Sequence, residues 1–385
     1  MFLSSPLCLA PDRGFGNDPR MTQPSSASSP DRIAREIFRG AHYLARFLSA
    51  DAEALVPDGP VVVFFETWLP QPDMEAPVTG ETFFTHRGLD VIAIKPAAND
   101  WYQQDEMIEL IDAVLAETKG RRRVGYGGSM GGYAAINFAE SLALDDLVAV
   151  APQFSIDPAL MPQDWRWRRE AEGIAFRQDR MRLIGRLQRG TIIYDPDSED
   201  RPHVRAILMY HDLTPLPLRF CGHHMFRALQ QARVLPMLAM DLVLGRFDHA
   251  AFRRAFRAGR RKSPVFWLEL ARGLCAKFWL KAATAALDRA RALAPDDAFA
   301  QDVVAGEIAR AGGNRQEADR LMQLWRSHEN AELAEAARYR MAQWTWYDTR
   351  SAEEIEYERA ARAAEHLLAA PQAIPDFTWP VSHGQ

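Results

Sequence analysis

The run Val124-Gly125-Tyr126-Gly127-Gly128-Ser129-Met130-Gly131-Gly132-Tyr133-Ala134-Ala135 decides the reading of this chain. Within it, Gly127, Ser129 and Gly131 spell G-x-S-x-G. Arg121-Arg122-Arg123-Val124 ahead of it can feed a short strand, and Tyr133 to Ala139 begins a helix rich in small residues. Strand, sharp turn and helix are the context in which this motif holds a serine hydroxyl at the top of a sheet. Glycines on either side remove Cβ atoms that would collide with neighbouring backbone. The Met130 amide then falls at a helix N-terminus, aimed at a developing oxyanion. The competing reading is a glycine-rich turn without chemistry, common where G-x-S-x-G stands alone. The flanking strand and helix favour the nucleophile.

Working outward, Val61 to Phe65 is a continuous apolar, β-branched run, as in a strand buried on both faces. Leu89–Ile94, Leu147–Ala151, Thr191–Tyr194 and Leu216–Cys221 read as further strands, and Met107–Leu115 as an amphipathic helix. Strands alternating with helices predict an α/β domain with a mostly parallel sheet. Ligands of such sheets bind beyond the carboxyl ends of the strands. Asn99 and Trp101, in the polar-aromatic loop after Ile94, are therefore candidate substrate-binding residues; a helix cap and a packed Trp plug are the alternative. Before Val61, Ser29-Pro30-Asp31 looks like a helix start, and Ile33–Leu48 carries apolar residues at helical spacing.

At the elbow the sequence resembles the α/β-hydrolase superfamily, over about residues 55–235. The resemblance implies a Ser-Asp-His order along the chain. It places a second oxyanion amide after Val61–Phe65, at Thr67 or a neighbour. The acid is expected after Thr191–Tyr194: Asp200 has the more usual offset, with Asp195 and then Asp197 behind it. The base is expected after the last strand, at His223, with His224 competing. Insertions before Thr191 often form a lid in this superfamily. Here Asp164-Trp165-Arg166-Trp167-Arg168-Arg169 interleaves tryptophan with arginine. Trp165 and its neighbours are candidates to hold an acidic or sugar-like substrate by stacking and charge, against a solvated helix with its Trp packed inward. Because only the region from Val61 reads as sheet, the usual leading antiparallel hairpin is expected to be missing and the domain shortened on that side.

From Ala232 the character changes to Ala, Leu, Arg and Glu at helical spacing. Pro264 to Pro295 resembles one tetratricopeptide repeat, with Trp267, Leu270, Ala271, Leu274, Ala283, Leu287, Ala290 and Pro295 at its large, small and terminal-proline positions. A degenerate second copy runs from Ala298, and Glu332–Trp346 makes the next helix. The alternative is an ordinary helical bundle. The expected organisation is a disordered segment 1–30, a hydrolase-like domain 31–240, a helical-repeat domain 250–370 and a tail 371–385. On this division, removing residues from about 250 onward should leave a soluble domain.

Composition bounds the rest. A net charge of -5 over 385 residues argues against a nucleic-acid binder. Cys8, Cys221 and Cys275 are odd in number and far apart, so no disulfide framework or metal cluster is expected. The first ten residues have no basic residue before a short apolar part broken by Pro6, and read as non-targeting; Met21 is a plausible start. No apolar run reaches a membrane span. The expectation is a cytoplasmic serine hydrolase acting on a small-molecule or saccharide acyl ester through an acyl-enzyme, with no metal or organic cofactor. A protein partner could sit on the helical repeats. An acyltransferase with the same triad and a non-catalytic scaffold are the alternatives.

Overall fold

The computed structural model describes residues 33–164 and 166–349. The expectations for the first 30 residues, the helix start at Ser29–Asp31, the tail 371–385 and Trp165 lie outside the described residues.

Eight strands form one sheet: β1 (Ala34–Arg39), β2 (Tyr43–Leu48), β3 (Val61–Phe65), β4 (Val91–Pro96), β5 (Arg123–Gly128), β6 (Asp146–Val150), β7 (Thr191–Tyr194) and β8 (Thr214–Pro217). Their order across the sheet is β1-β2-β4-β3-β5-β6-β7-β8. All neighbours from β4 to β8 run parallel, whereas β1 pairs antiparallel with β2 and β2 antiparallel with β4. The architecture is α/β with a mostly parallel sheet, and an all-α region follows it.

Two expectations fail at the N-terminal side. Ile33–Leu48 is not a helix but a hairpin, and the leading antiparallel hairpin is therefore present rather than missing. The apolar spacing there imitates a helix, but Tyr43, Leu44 and Ala45 are all buried because β2 lies between β1 and β4. Pairing with β4, distant in sequence, overrides the local pattern. The turn between the two strands is braced by Glu106, whose carboxylate accepts from the amides of Ala41 and His42, each at 2.9 Å.

The helices are α1 (Glu81–Thr85), α2 (Met107–Glu117), α3 (Met130–Asn137), α4 (Arg168–Ala171), α5 (Arg201–Tyr210), α6 (Met225–Gln231), α7 (Leu235–Val243), α8 (His249–Gly259), α9 (Pro264–Cys275), α10 (Leu280–Leu293), α11 (Ala298–Ala311), α12 (Arg315–Arg326) and α13 (Ala331–Thr349). Two apolar cores cover the two faces of the sheet. One packs α2 and α3 onto alternate residues such as Val61, Val63 and Phe65; the other packs α6 and α7 onto Val62 and Phe64. This is the period-two alternation of strand side chains, with apolar residues wanted on both faces.

From α9 onward successive helices pack on one another. Pro264 opens α9 in the first turn, where its missing N–H costs nothing, and the Ser263 hydroxyl caps the helix by accepting from the Phe266 amide. Ala271, Ala283, Ala286 and Ala290 are buried between these helices, where small side chains allow close approach.

The second core does not stop near residue 250. Phe252 and Phe256 of α8 and Val265 of α9 belong to it together with Val62, Phe64 and Val148 of the sheet. Burying side chains of this size contributes ~1.5–3 kcal/mol each, and a whole domain has only about 5–15 kcal/mol to lose. A chain ending at residue 245 is therefore expected to be insoluble or to lack cooperative melting. Size-exclusion chromatography and near-UV circular dichroism check this; a monomeric, cooperatively melting product would place the boundary where composition alone puts it.

Candidate active site

Ser129 sits between β5 and α3 with φ 52° and ψ -119°, a conformation rare for a residue with a side chain. Two contacts hold it there. Its amide donates to Val150 O on β6 at 2.8 Å, and its carbonyl accepts from Tyr133 N at 2.9 Å. The turn is possible only with glycine beside it. A Cβ on Gly127 would lie 2.3 Å from the Gly131 carbonyl oxygen, and one on Gly131 would lie 2.3 Å from that of Phe65. Met130 is the first residue of α3, so its amide has no acceptor within the helix.

His223 lies in the segment between β8 and α6, with Nε2 3.0 Å from Ser129 Oγ. Its Nδ1 is 2.9 Å from both carboxylate oxygens of Asp200. A carboxylate only accepts, so the ring proton is on Nδ1 and Nε2 is free to accept from the serine hydroxyl. His224 is instead the N-terminal cap position of α6, its ring beside that of His223.

Asp200 is fully buried at the start of α5. Burial works against its ionisation, but His223 and Arg166 outweigh it and hold the carboxyl well below the usual range. Arg166 is a partner that its place in the Trp-Arg run does not reveal: it neither faces solvent nor offers an open contact surface, but is buried. One of its terminal nitrogens donates to Asp200 Oδ1 at 2.8 Å, while Nε and the other terminal nitrogen grip both oxygens of Asp164 at 2.9 Å. Asp164 in turn faces His203 Nε2 at 2.5 Å. The Arg166 carbonyl accepts from the Tyr339 hydroxyl on α13 at 2.7 Å, so the helical region touches the segment that holds the Asp200 carboxylate.

The other acidic candidates do different work. Asp195 Oδ2 accepts from the amides of Cys221 at 2.8 Å and Gly222 at 2.9 Å, bracing the segment that ends in His223. Burial pushes its carboxyl up to about 7. Asp197 pairs with Arg219 at the surface. Glu199 is half-buried, its two carboxylate oxygens shielded from solvent and without a hydrogen-bond partner among the described residues, with Arg166 Nε at 3.6 Å.

Burial raises Glu199 from 4.5 to about 8. A raised carboxyl favours folding while it is protonated, so its contribution is complete at low pH and is lost as pH rises towards 8. Glu199→Gln cannot ionise and is expected to escape this loss, gaining on the order of 2–4 kcal/mol relative to wild type between pH 5.5 and 9. Thermal melts of both proteins at the two pH values check it; parallel declines would mean that Glu199 is not the titrating group.

The remaining candidates fall as follows. The Thr67 amide donates to the Glu66 carboxylate at 2.9 Å, so in this arrangement it does not point into an oxyanion site. Asn99 braces the same loop, accepting from Leu69 N at 3.0 Å and donating to Leu69 O at 2.6 Å. Trp101 is buried, with a left-handed backbone (φ 50°), and its indole nitrogen donates to Gln153 Oε1 at 3.4 Å. Both are therefore placed as supports behind the site rather than as open contact surfaces. Trp167 packs inward against Trp101, Trp68 and the edge of His223. Gln153, three residues past β6, reaches Ser129 Oγ with Nε2 at 3.1 Å. Its position just beyond a strand's carboxyl end was the signal that could have singled it out.

Among the described residues no group of His, Cys, Asp and Glu side chains is arranged to hold a metal, and no helix is long and apolar enough to cross a membrane. No family model matches the chain, and no curated protein matches it. Solved structures do. An α/β serine hydrolase without lid from Xanthomonas campestris is 15% identical, covering 59% of this chain and 94% of its own, with a TM-score of 0.36. The capsule O-acetyltransferase of Neisseria meningitidis serogroup A is 12% identical over 56% of this chain and 97% of its own, with a TM-score of 0.40. A thermophilic esterase from Thermogutta terrifontis is 15% identical over 55% and 93%, with a TM-score of 0.39. By its own sheet order and its strand-turn-helix elbow, the chain carries an α/β-hydrolase-like domain followed by a helical region.

Proposed function

We propose that this protein is a serine hydrolase acting on carboxylic esters, with Ser129 as nucleophile, His223 as general base and Asp200 as the acid that orients it. One observation carries the reading: His223 bridges Ser129 Oγ at 3.0 Å and Asp200 at 2.9 Å. On this reading Ser129 Oγ attacks the ester carbonyl as His223 Nε2 takes its proton. The tetrahedral oxyanion forms within reach of the Met130 amide, and the proton passes from His223 to the departing alcohol. Water activated by the same imidazole then releases the acid. Asp200 keeps its charge throughout, because Arg166 donates to its Oδ1 and offsets the charge there.

The test is labelling with a fluorophosphonate, followed by peptide mass spectrometry. Modification of Ser129 alone supports the nucleophile, and an unlabelled protein overturns it. Turnover of short and long p-nitrophenyl esters, with and without added sugar alcohols, then separates the two chemistries. Free acid as the sole product is expected; acyl transfer to the added alcohol would make the enzyme an acyltransferase.

A further inference from the structure

Gln153 is fully buried, and its side chain is fixed in direction by its neighbours. The Trp101 indole nitrogen can only donate, so the carboxamide oxygen must face it and Nε2 must face Ser129. The serine hydroxyl has already given its proton to the bond with His223 Nε2. Its lone pairs are therefore what Gln153 meets. The result is a directed chain from Trp101 through Gln153 and Ser129 to His223 and Asp200, in which every donor and acceptor has one role.

We infer that the Gln153 carboxamide is a catalytic residue: a side-chain oxyanion donor acting beside the Met130 amide. The inference rests on Ser129 being the nucleophile. In the first step the Oγ–carbon bond forms, the hydroxyl proton moves to His223 Nε2, and the carbonyl π pair moves onto the carbonyl oxygen. Oγ then becomes an ether-like oxygen and a poorer acceptor. The new oxyanion is bonded to the same carbon and is a stronger one. A small rotation carries the Nε2–H from the first to the second. The contact is thus tighter in the transition state than in the ground state, which is the condition for raising kcat rather than lowering KM. Burial of the carboxamide strengthens the effect. It also supplies a donor where the Thr67 amide is engaged by Glu66.

The experiment measures p-nitrophenyl acetate turnover, and inhibition by a short alkyl trifluoromethyl ketone, in wild type, Gln153→Ala and Gln153→Met. Methionine keeps the length and apolar packing but has no donor, so it serves if alanine disturbs the fold. Loss of one such donor is expected to lower kcat by about 10²-fold. KM should stay close to wild type, and affinity for the ketone, which forms a tetrahedral oxyanion on Ser129, should fall by a similar factor. A kcat near wild type in a folded variant overturns the inference, as does a raised KM with unchanged kcat. Absence of fluorophosphonate labelling at Ser129 in wild type is a separate result and removes the nucleophile reading itself.

Discussion

Replacing Ser129 by alanine is expected to abolish fluorophosphonate labelling and lower ester turnover by about 10⁶-fold, the loss known when such a nucleophile is removed. No other hydroxyl touches His223 Nε2 among the described contacts, so no residue can take over. The fold should survive, because the backbone that shapes the elbow is retained: the amide of residue 129 still reaches Val150 O and its carbonyl still receives Tyr133 N. Serine already carries the strain of this positive φ, which alanine merely shares, and a melting temperature within a few degrees of wild type verifies that. Residual turnover close to wild type would exclude Ser129.

The second large effect is expected at Asp200. In Asp200→Asn the amide nitrogen can donate to His223 Nδ1. That drives the ring proton to Nε2, where it points at Ser129 and cannot accept its proton. A comparable change in a well-studied protease costs about 10⁴-fold in kcat. The substitution also takes a charged partner from buried Arg166. Asp164 remains bidentate on that guanidinium, so the folding loss should stay well below the 3–5 kcal/mol of a fully orphaned buried charge. Asp195→Asn is the control. Among the described residues its carboxylate accepts from the backbone amides of Asp197, Cys221 and Gly222, and an amide oxygen can still accept from Cys221 and Gly222. It should keep turnover within about tenfold of wild type, as expected of a bracing hydrogen bond worth roughly 1 kcal/mol. Asp197→Asn, at the surface beside Arg219, should be near neutral. A near-normal Asp200→Asn enzyme beside an inactive Asp195→Asn enzyme would move the acid to Asp195.

The central strands were legible in the sequence. Val61–Phe65 and Thr191–Tyr194 match β3 and β7 residue for residue; for β3 the reason is that a strand buried on both faces is written as a continuous apolar run. The elbow was legible because glycine is the one residue able to stand where backbone passes within 2.3 Å of a Cβ position. Sequence order also singled out Asp200 and His223, each a few residues beyond a strand end.

The sequence by itself determined the α/β alternation, the strand-turn-helix elbow at Ser129 and the short lists of aspartates and histidines that follow β7 and β8. Tertiary structure alone decided the rest. Ile33–Leu48 became a hairpin because β4, some 50 residues on, offers a ladder that local spacing does not record. Asp200 was separated from Asp195 and Glu199 by what each carboxylate meets among the described residues: an imidazole and a guanidinium, three backbone amides, or no hydrogen-bond donor. Arg166, Gln153 and Tyr339 reach the site from three different segments, and their roles are set by distances of about 3 Å across the fold. Hydrogen bonding is short-ranged and directional. A one-dimensional pattern can say which residues are able to donate or accept, and only the folded chain says which of them meet.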